Sequence, residues 1–130
     1  MFRAIVVRKD PSDPTGKALS IAVETVGEEL LIEADAHSVD IRVDWSTVNY
    51  KDALALTGKP IVRKFPLIAG IDFSGKVESS RDPRFTPGQA VVLNGWGAGE
   101  THPGGLAQRA RVPADWLVEL PDSIDPRRAM

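Results

Sequence analysis

Apolar and polar positions along the first half of the chain follow a two-residue period. Val39, Ile41, Val43 and Trp45 alternate with Asp40, Arg42, Asp44 and Ser46, which predicts a strand with one apolar and one polar face. Leu19, Ile21 and Val23 alternate with Ser20, Ala22 and Glu24 in the same way. Residues 2–8 form a short β-branched run, and Pro11, Pro14 and Gly16 mark the turn after it. The period then changes. Asn49 is a good N-cap, Asp52 falls in the first turn, Ala53, Leu54 and Leu56 follow, and Gly58 stands where a helix ends. A short helix is predicted over residues 50–57. Residues 68–78 read as one strand, bent or bulged at Gly70 and Gly75. Residues 89–93, 106–112 and 116–120 read as the remaining strands. Many short strands separated by turns, with no repeat and no alternation with helices, predict a mainly β fold. The expected form is a closed or partly open barrel, or a sandwich.

Composition narrows the function classes. The chain has 130 residues, enough for one domain, and a net charge of −2. That balance argues against binding to nucleic acid or to an anionic membrane. There is no cysteine, and His37 and His102 are the two histidines. A disulfide framework, a thiolate zinc site and a cysteine nucleophile are excluded. No apolar run approaches the ~20 residues of a membrane helix, and the N-terminus lacks a signal-peptide pattern. A cytoplasmic location is the expectation.

Three motifs invite a nucleotide reading, and two fail on their context. Gly70 to Lys76 nearly spells a phosphate-binding loop, but Val77 replaces the required Ser or Thr and a strand pattern continues. Gly95-Trp96-Gly97-Ala98-Gly99 starts like a dinucleotide turn, but Glu100 holds the sixth position and Pro103-Gly104-Gly105 precludes a following helix. Six of the twelve residues 94–105 are Gly or Pro, and so long a loop in a compact domain is often functional. Trp96 is either a lid or pocket wall or simple packing onto the barrel. Glu100 and His102 are too few for a metal and read as a solvated loop tip. The third motif is Asn49-Tyr50-Lys51-Asp52, an amide, a phenol, an ammonium and a carboxylate at a strand-to-helix junction. It reads equally as helix capping or as a ligand-facing cluster.

Beyond these residues, the order of motifs resembles the N-terminal, GroES-like domain of medium-chain dehydrogenases/reductases. Within that superfamily it is most similar to the zinc-independent quinone oxidoreductases and the NADPH-dependent acrylyl-CoA reductases. The matching stretches are residues 45–54, 57–59, 65–75, 82–85, 87–88, 95–100, 104–107 and 115–118, in the family's order. The zinc-dependent members have a cysteine where this chain has Asn49 and a histidine where it has Ile71, so the resemblance implies the metal-free branch.

The fold it implies is a partly open β-barrel with one or two short helices. The chemistry it implies is hydride transfer from NADPH to an activated double bond, as in an enoyl-CoA, or to a quinone. By the same resemblance Asn49 and Tyr50 line the nicotinamide cleft and are the catalytic candidates. Tyr50 would contact the cofactor or the acceptor carbonyl, and Lys51 would meet a phosphate or solvent. Asp52 would fix the helix start, and Gly70 and Asp72 would support the cleft wall. No metal is expected.

Residues 1–122 would form the GroES-like portion. Ser123, Asp125 and Pro126 signal a helix start, so residues 123–130 would begin a connecting helix. The family's nucleotide-binding domain would follow Met130. The chain is therefore expected to be the front part of a longer reductase, inactive alone and prone to self-association through open sheet edges. A stand-alone GroES-like binding or scaffold module is the alternative. A nucleic-acid-binding barrel is disfavoured by the charge and by only eight aromatic residues.

Overall fold

The computed structural model describes residues 1–130 as eight strands in two sheets with one α-helix. A three-stranded sheet has the order β2-β1-β4, formed by β1 (Phe2–Lys9), β2 (Leu19–Val26) and β4 (Leu67–Ile68). A five-stranded sheet has the order β7-β3-β5-β6-β8. Its strands are β3 (Ser38–Ser46), β5 (Asp72–Ser80), β6 (Ala90–Asn94), β7 (Arg109–Pro113) and β8 (Val118–Glu119). All pairings are antiparallel. The helix α1 (Tyr50–Leu56) lies between β3 and β4 in the chain. The two sheets do not close into a barrel, in keeping with the partly open form that the resemblance implied.

The alternating pattern of β3 places Val39 and Ile41 in the main core, fully buried with Phe73, Val91, Leu93 and Val112. The alternation stops paying its way at Trp45. A register irregularity lies between Val43 and Trp45, and the Trp45 side chain emerges 45 % exposed. A second core on β1 gathers Phe2, Ala4 and Val6 with Ile68. A third packs Val7 and Leu67 against Ala55 of α1. β2 is an edge strand, and Val23, expected on a buried face, is exposed.

Residues 68–78 differ most from the sequence expectation. They are not one bent strand. β4 belongs to the small sheet and β5 to the large one, and residues 69–71 cross between them. Gly70 makes the crossing in the left-handed region, with φ of 113°. A Cβ there would strike the backbone of Gly105 and Leu106, and one at Gly99 or Gly104 would strike Gly70 itself. Glycine is needed because two backbones pass in contact. The run 106–113 is split in the same sense. Residues 106–108 bond to β1 (Ile5 N–H to Leu106 O, 2.9 Å; Gln108 N–H to Arg3 O, 3.0 Å), and β7 then joins the large sheet beside β3.

The last residues form a single 3₁₀ turn at Pro126–Ala129. It docks on the large sheet: the fully buried Ser74 hydroxyl donates to Pro126 O at 3.0 Å, and the Arg127 guanidinium lies 5.9 Å from the Trp45 ring centre.

Candidate functional site

The strand-to-helix junction and the glycine-rich loop meet through one carboxylate. Asp72, first residue of β5, accepts from the Asn49 side-chain amide at 2.7 Å through Oδ2 and from the Gly95 backbone N–H at 2.8 Å through Oδ1. Tyr50 and Trp96 are each the next residue along the chain from an Asp72 partner. Both project into solvent, 78 % and 59 % exposed. Val48, two residues before Tyr50, is 67 % exposed. A polar hub thus carries a rim of exposed apolar and aromatic surface.

Asp52 anchors the helix beneath this hub. Its side chain is fully buried; Oδ2 accepts the Asn49 N–H at 2.7 Å and Oδ1 accepts the Ile71 N–H at 3.0 Å. The first bond caps the helix start, and the second ties α1 to the crossing between the sheets. Burial raises the Asp52 pKa, against the two backbone N–H groups that lower it.

Lys51 is exposed and paired with a carboxylate of the loop. Its Nζ lies 2.6 Å from Glu100 Oε1, which makes a second tie between α1 and the loop. Glu100 and His102 are therefore not a free loop tip. His102 packs edge-on against Trp116 at 4.6 Å, and its Nδ1 donates to Pro103 O at 2.8 Å. Its Nε2 is buried without a hydrogen-bond partner, and burial pushes its pKa down, which favours the neutral ring. Trp96 stacks on the other side of this cluster, with ring centres 6.0 Å from Trp116 and planes 10° apart. Its backbone is left-handed, φ 58°, between Gly95 and Gly97, both at 81°. A tryptophan in that conformation is rare and costs about 1 kcal/mol. Sequence reading left Trp96 open between wall and packing; its ring is half packed and half free. The Lys51–Glu100 pair escaped sequence reading, because 49 residues separate the partners and neither lies in a recognisable pairing pattern.

The hub is an open surface. The concave regions of the molecule lie elsewhere, one along β1 beside Ala4, Val23 and Leu106 and another beside Leu31, Lys64 and His102. No group of three His, Cys, Asp or Glu side chains converges anywhere.

Comparison with known proteins shows the family. The alcohol dehydrogenase GroES-like domain family matches residues 35–122. The chain belongs to this family. The GroES-like domain is 56 % identical over 116 residues to the probable acrylyl-CoA reductase of Escherichia coli, covering 88 % of this chain and 35 % of that protein. It is 47 % identical to the acrylyl-CoA reductase of Ruegeria pomeroyi, covering 100 % of this chain and 38 % of the relative. Among solved structures, an oxidoreductase from Salmonella enterica in complex with NADP superposes with a TM-score of 0.87 at 48 % identity, covering 98 % of this chain and 37 % of that one. A Bacillus subtilis protein with NAD bound superposes with a TM-score of 0.85 at 41 % identity, covering 99 % and 37 %. The chain thus spans little more than a third of the length of these relatives.

Proposed function

We propose that residues 1–130 form the acceptor-side wall of a medium-chain reductase. In this reading Tyr50, Asn49 and the Asp72 hub face a nicotinamide held mainly by a second domain. The observation that carries the proposal is the single carboxylate that fixes both the residue before Tyr50 and the residue before Trp96. A scaffold has no need to hold two exposed aromatic residues around a polar centre. The residues fit the ring end of a dinucleotide and not its diphosphate. The glycines of the loop pack on the Gly70 backbone, and no helix begins after them.

When bound, NADPH supplies the hydride that the β-carbon of an enoyl-CoA, or a quinone, receives. The π pair of an enoyl thioester would then move toward the carbonyl oxygen, and a proton taken from solvent by the α-carbon would complete the reduction. Tyr50 is the group in this chain that donates a hydrogen bond to that oxygen as its charge develops. Asn49 positions it, since its own amide donates to Asp72. Asp52 and Gly70 hold the helix start and the crossing behind them. Lys51 reaches a cofactor phosphate only by leaving Glu100. The metal-free reading rests on the donor set: the Asn49 amide is bonded to a carboxylate, and the buried Ile71 side chain has no ligand atom. The preference for NADPH over NADH belongs to the proposal as well, because relatives are seen with each nucleotide. So do a cytoplasmic location and the absence of nucleic-acid or membrane partners. No helix here is long and apolar enough to cross a membrane.

A graft tests this reading. Residues 1–130 replace the corresponding residues of the Escherichia coli relative, and NADPH oxidation is followed with acrylyl-CoA and with a quinone. The expected result is turnover of at least one acceptor within about tenfold of the parent, a loss of no more than about 1.4 kcal/mol in the barrier. A folded graft that binds NADPH and reduces neither acceptor would contradict the proposal.

A further inference from the structure

The last residues of the chain are held by the strand that carries the hub. Trp45, Ser74, Val92 and Val118 are paired directly across β3, β5, β6 and β8, so they share one face of the large sheet. Phe73 and Leu93, the next pair along, point the other way into the main core. Trp45 reaches the outer face through a bulge. Val43 pairs with Gly75 and Trp45 with Ser74, so Asp44 is the extra residue that turns Trp45 away from the core. Asp72 stands two residues before Ser74 and projects from the same outer face, about 7 Å along the strand.

The turn at Pro126–Ala129 packs against β3, β5 and β6 on this face. Ser74 is fully buried, and its hydroxyl donates to the Pro126 carbonyl, 52 positions away in sequence. A buried hydroxyl is costly without an acceptor, and Pro126 O supplies it. The Arg127 guanidinium lies over the Trp45 ring at 5.9 Å, within reach of a cation–π contact. Asp125 accepts the Arg127 N–H at 2.9 Å and closes the turn.

We propose that Ser74, Trp45 and Arg127 are positioning residues of the reductase: they lock the terminal turn beside the hub and so set the distance between Tyr50 and a nicotinamide carried by the rest of the enzyme. The inference rests on the reductase reading above and deepens it. The chain spans little more than a third of its relatives, and the remaining polypeptide of such an enzyme has to be held in register with Tyr50. A turn bonded to the hub's own strand does this by a short path. Pro126 is bonded to Ser74, Ser74 stands beside Asp72, and Asp72 holds Asn49, the neighbour of Tyr50. A misplacement of ~1 Å costs about 10²-fold in rate. The three residues act through placement, not by contact with the reacting atoms.

Trypsin reads the docking in the 130-residue chain, because Arg127 and Arg128 are its targets within the turn. Ser74→Ala is expected to speed cleavage after Arg128 at least about fivefold, with cleavage after the exposed Lys17 unchanged. In the graft, Ser74→Ala/Arg127→Ala is expected to lower kcat for acrylyl-CoA at least about tenfold. NADPH affinity, KM and the unfolding midpoint stay close to those of the unmodified graft. The isotope effect with NADPH deuterated at the transferred position is expected to rise, because transfer itself becomes the slow step. Arg127→Lys, which keeps a cation over Trp45, is expected to lose less than Arg127→Ala. An active graft whose kcat survives the double change overturns the inference and leaves the reductase reading standing, as does unchanged trypsin cleavage. A fall in kcat with an equal fall in NADPH affinity or in the unfolding midpoint assigns the residues to folding alone and overturns it too. An unmodified graft that reduces neither acceptor removes the reductase reading, and this inference with it.

Discussion

Asp72 shows how one side chain organises distant segments. Its carboxylate replaces water on an amide from the β3–α1 junction and on a backbone N–H of the glycine-rich loop. Removing it leaves the Asn49 amide without this acceptor and the Gly95 N–H with only the longer bond to Ile71 O at 3.3 Å, and hydrogen bonds to charged groups contribute about 1.5–3 kcal/mol each. Asp72→Ala is expected to lower stability to urea by about 2–3 kcal/mol and to increase amide exchange at Gly95. A loss below about 0.5 kcal/mol would show that the hub is incidental. Asp82 is one of several carboxylates, Asp13 among them, expected to shape the response to acid. Its buried carboxylate accepts from the Arg84 backbone and guanidinium, 2.9 Å each, and these bonds hold its pKa well below the usual carboxylate range. A depressed folded pKa means that the unfolded chain binds the proton first. The stabilisation is therefore present above the unfolded value near ~3.9 and drains away as pH falls toward the folded one. Denaturation midpoints measured from pH 5 to 2 are expected to fall, and Asp82→Asn to flatten that fall. An unchanged slope would remove Asp82 from the account.

At the scale of elements, periodicity located what packs and missed what crosses. The β3 alternation and the capping residues of α1 were legible because each depends on neighbours in sequence. The division of residues 68–78 between two sheets was not, because it depends on the loop 99–105 passing over Gly70. Four glycines in two distant segments suit each other only in three dimensions, and in sequence they look like unsuccessful nucleotide loops. The same limit hid the Lys51–Glu100 pair, while Asn49, Tyr50 and Asp72 could be named from motif resemblance. Gly70→Ala tests the crossing. A side chain there meets a strained φ and a backbone contact at once, and a cost of about 3 kcal/mol or more is expected from thermal or urea unfolding. Gly88→Ala also has a positive φ but open space around it, and is expected to cost about 1 kcal/mol. Equal costs at the two sites would refute the close-packing explanation.

At the scale of the whole molecule, the two sheets leave unpaired strand edges, and β2 presents one along its full length. Exposed edges with apolar residues such as Val23 favour pairing with another chain. Residues 1–130 are expected to self-associate with rising concentration in sedimentation velocity, and a monomer throughout a 100-fold dilution range would count against that. The Asp72 hub holds the residues that precede the exposed Tyr50 and Trp96. In the proposal made above, this surface faces the acceptor of a reductase, with Tyr50 against the reacting carbonyl. The most direct test is Tyr50→Phe in the grafted reductase. Loss of the hydroxyl is expected to lower kcat for acrylyl-CoA about 10²-fold, comparable to removing one oxyanion-stabilising donor, while NADPH affinity and the unfolding midpoint stay unchanged. Undiminished kcat in a well-folded Tyr50→Phe enzyme would contradict the account.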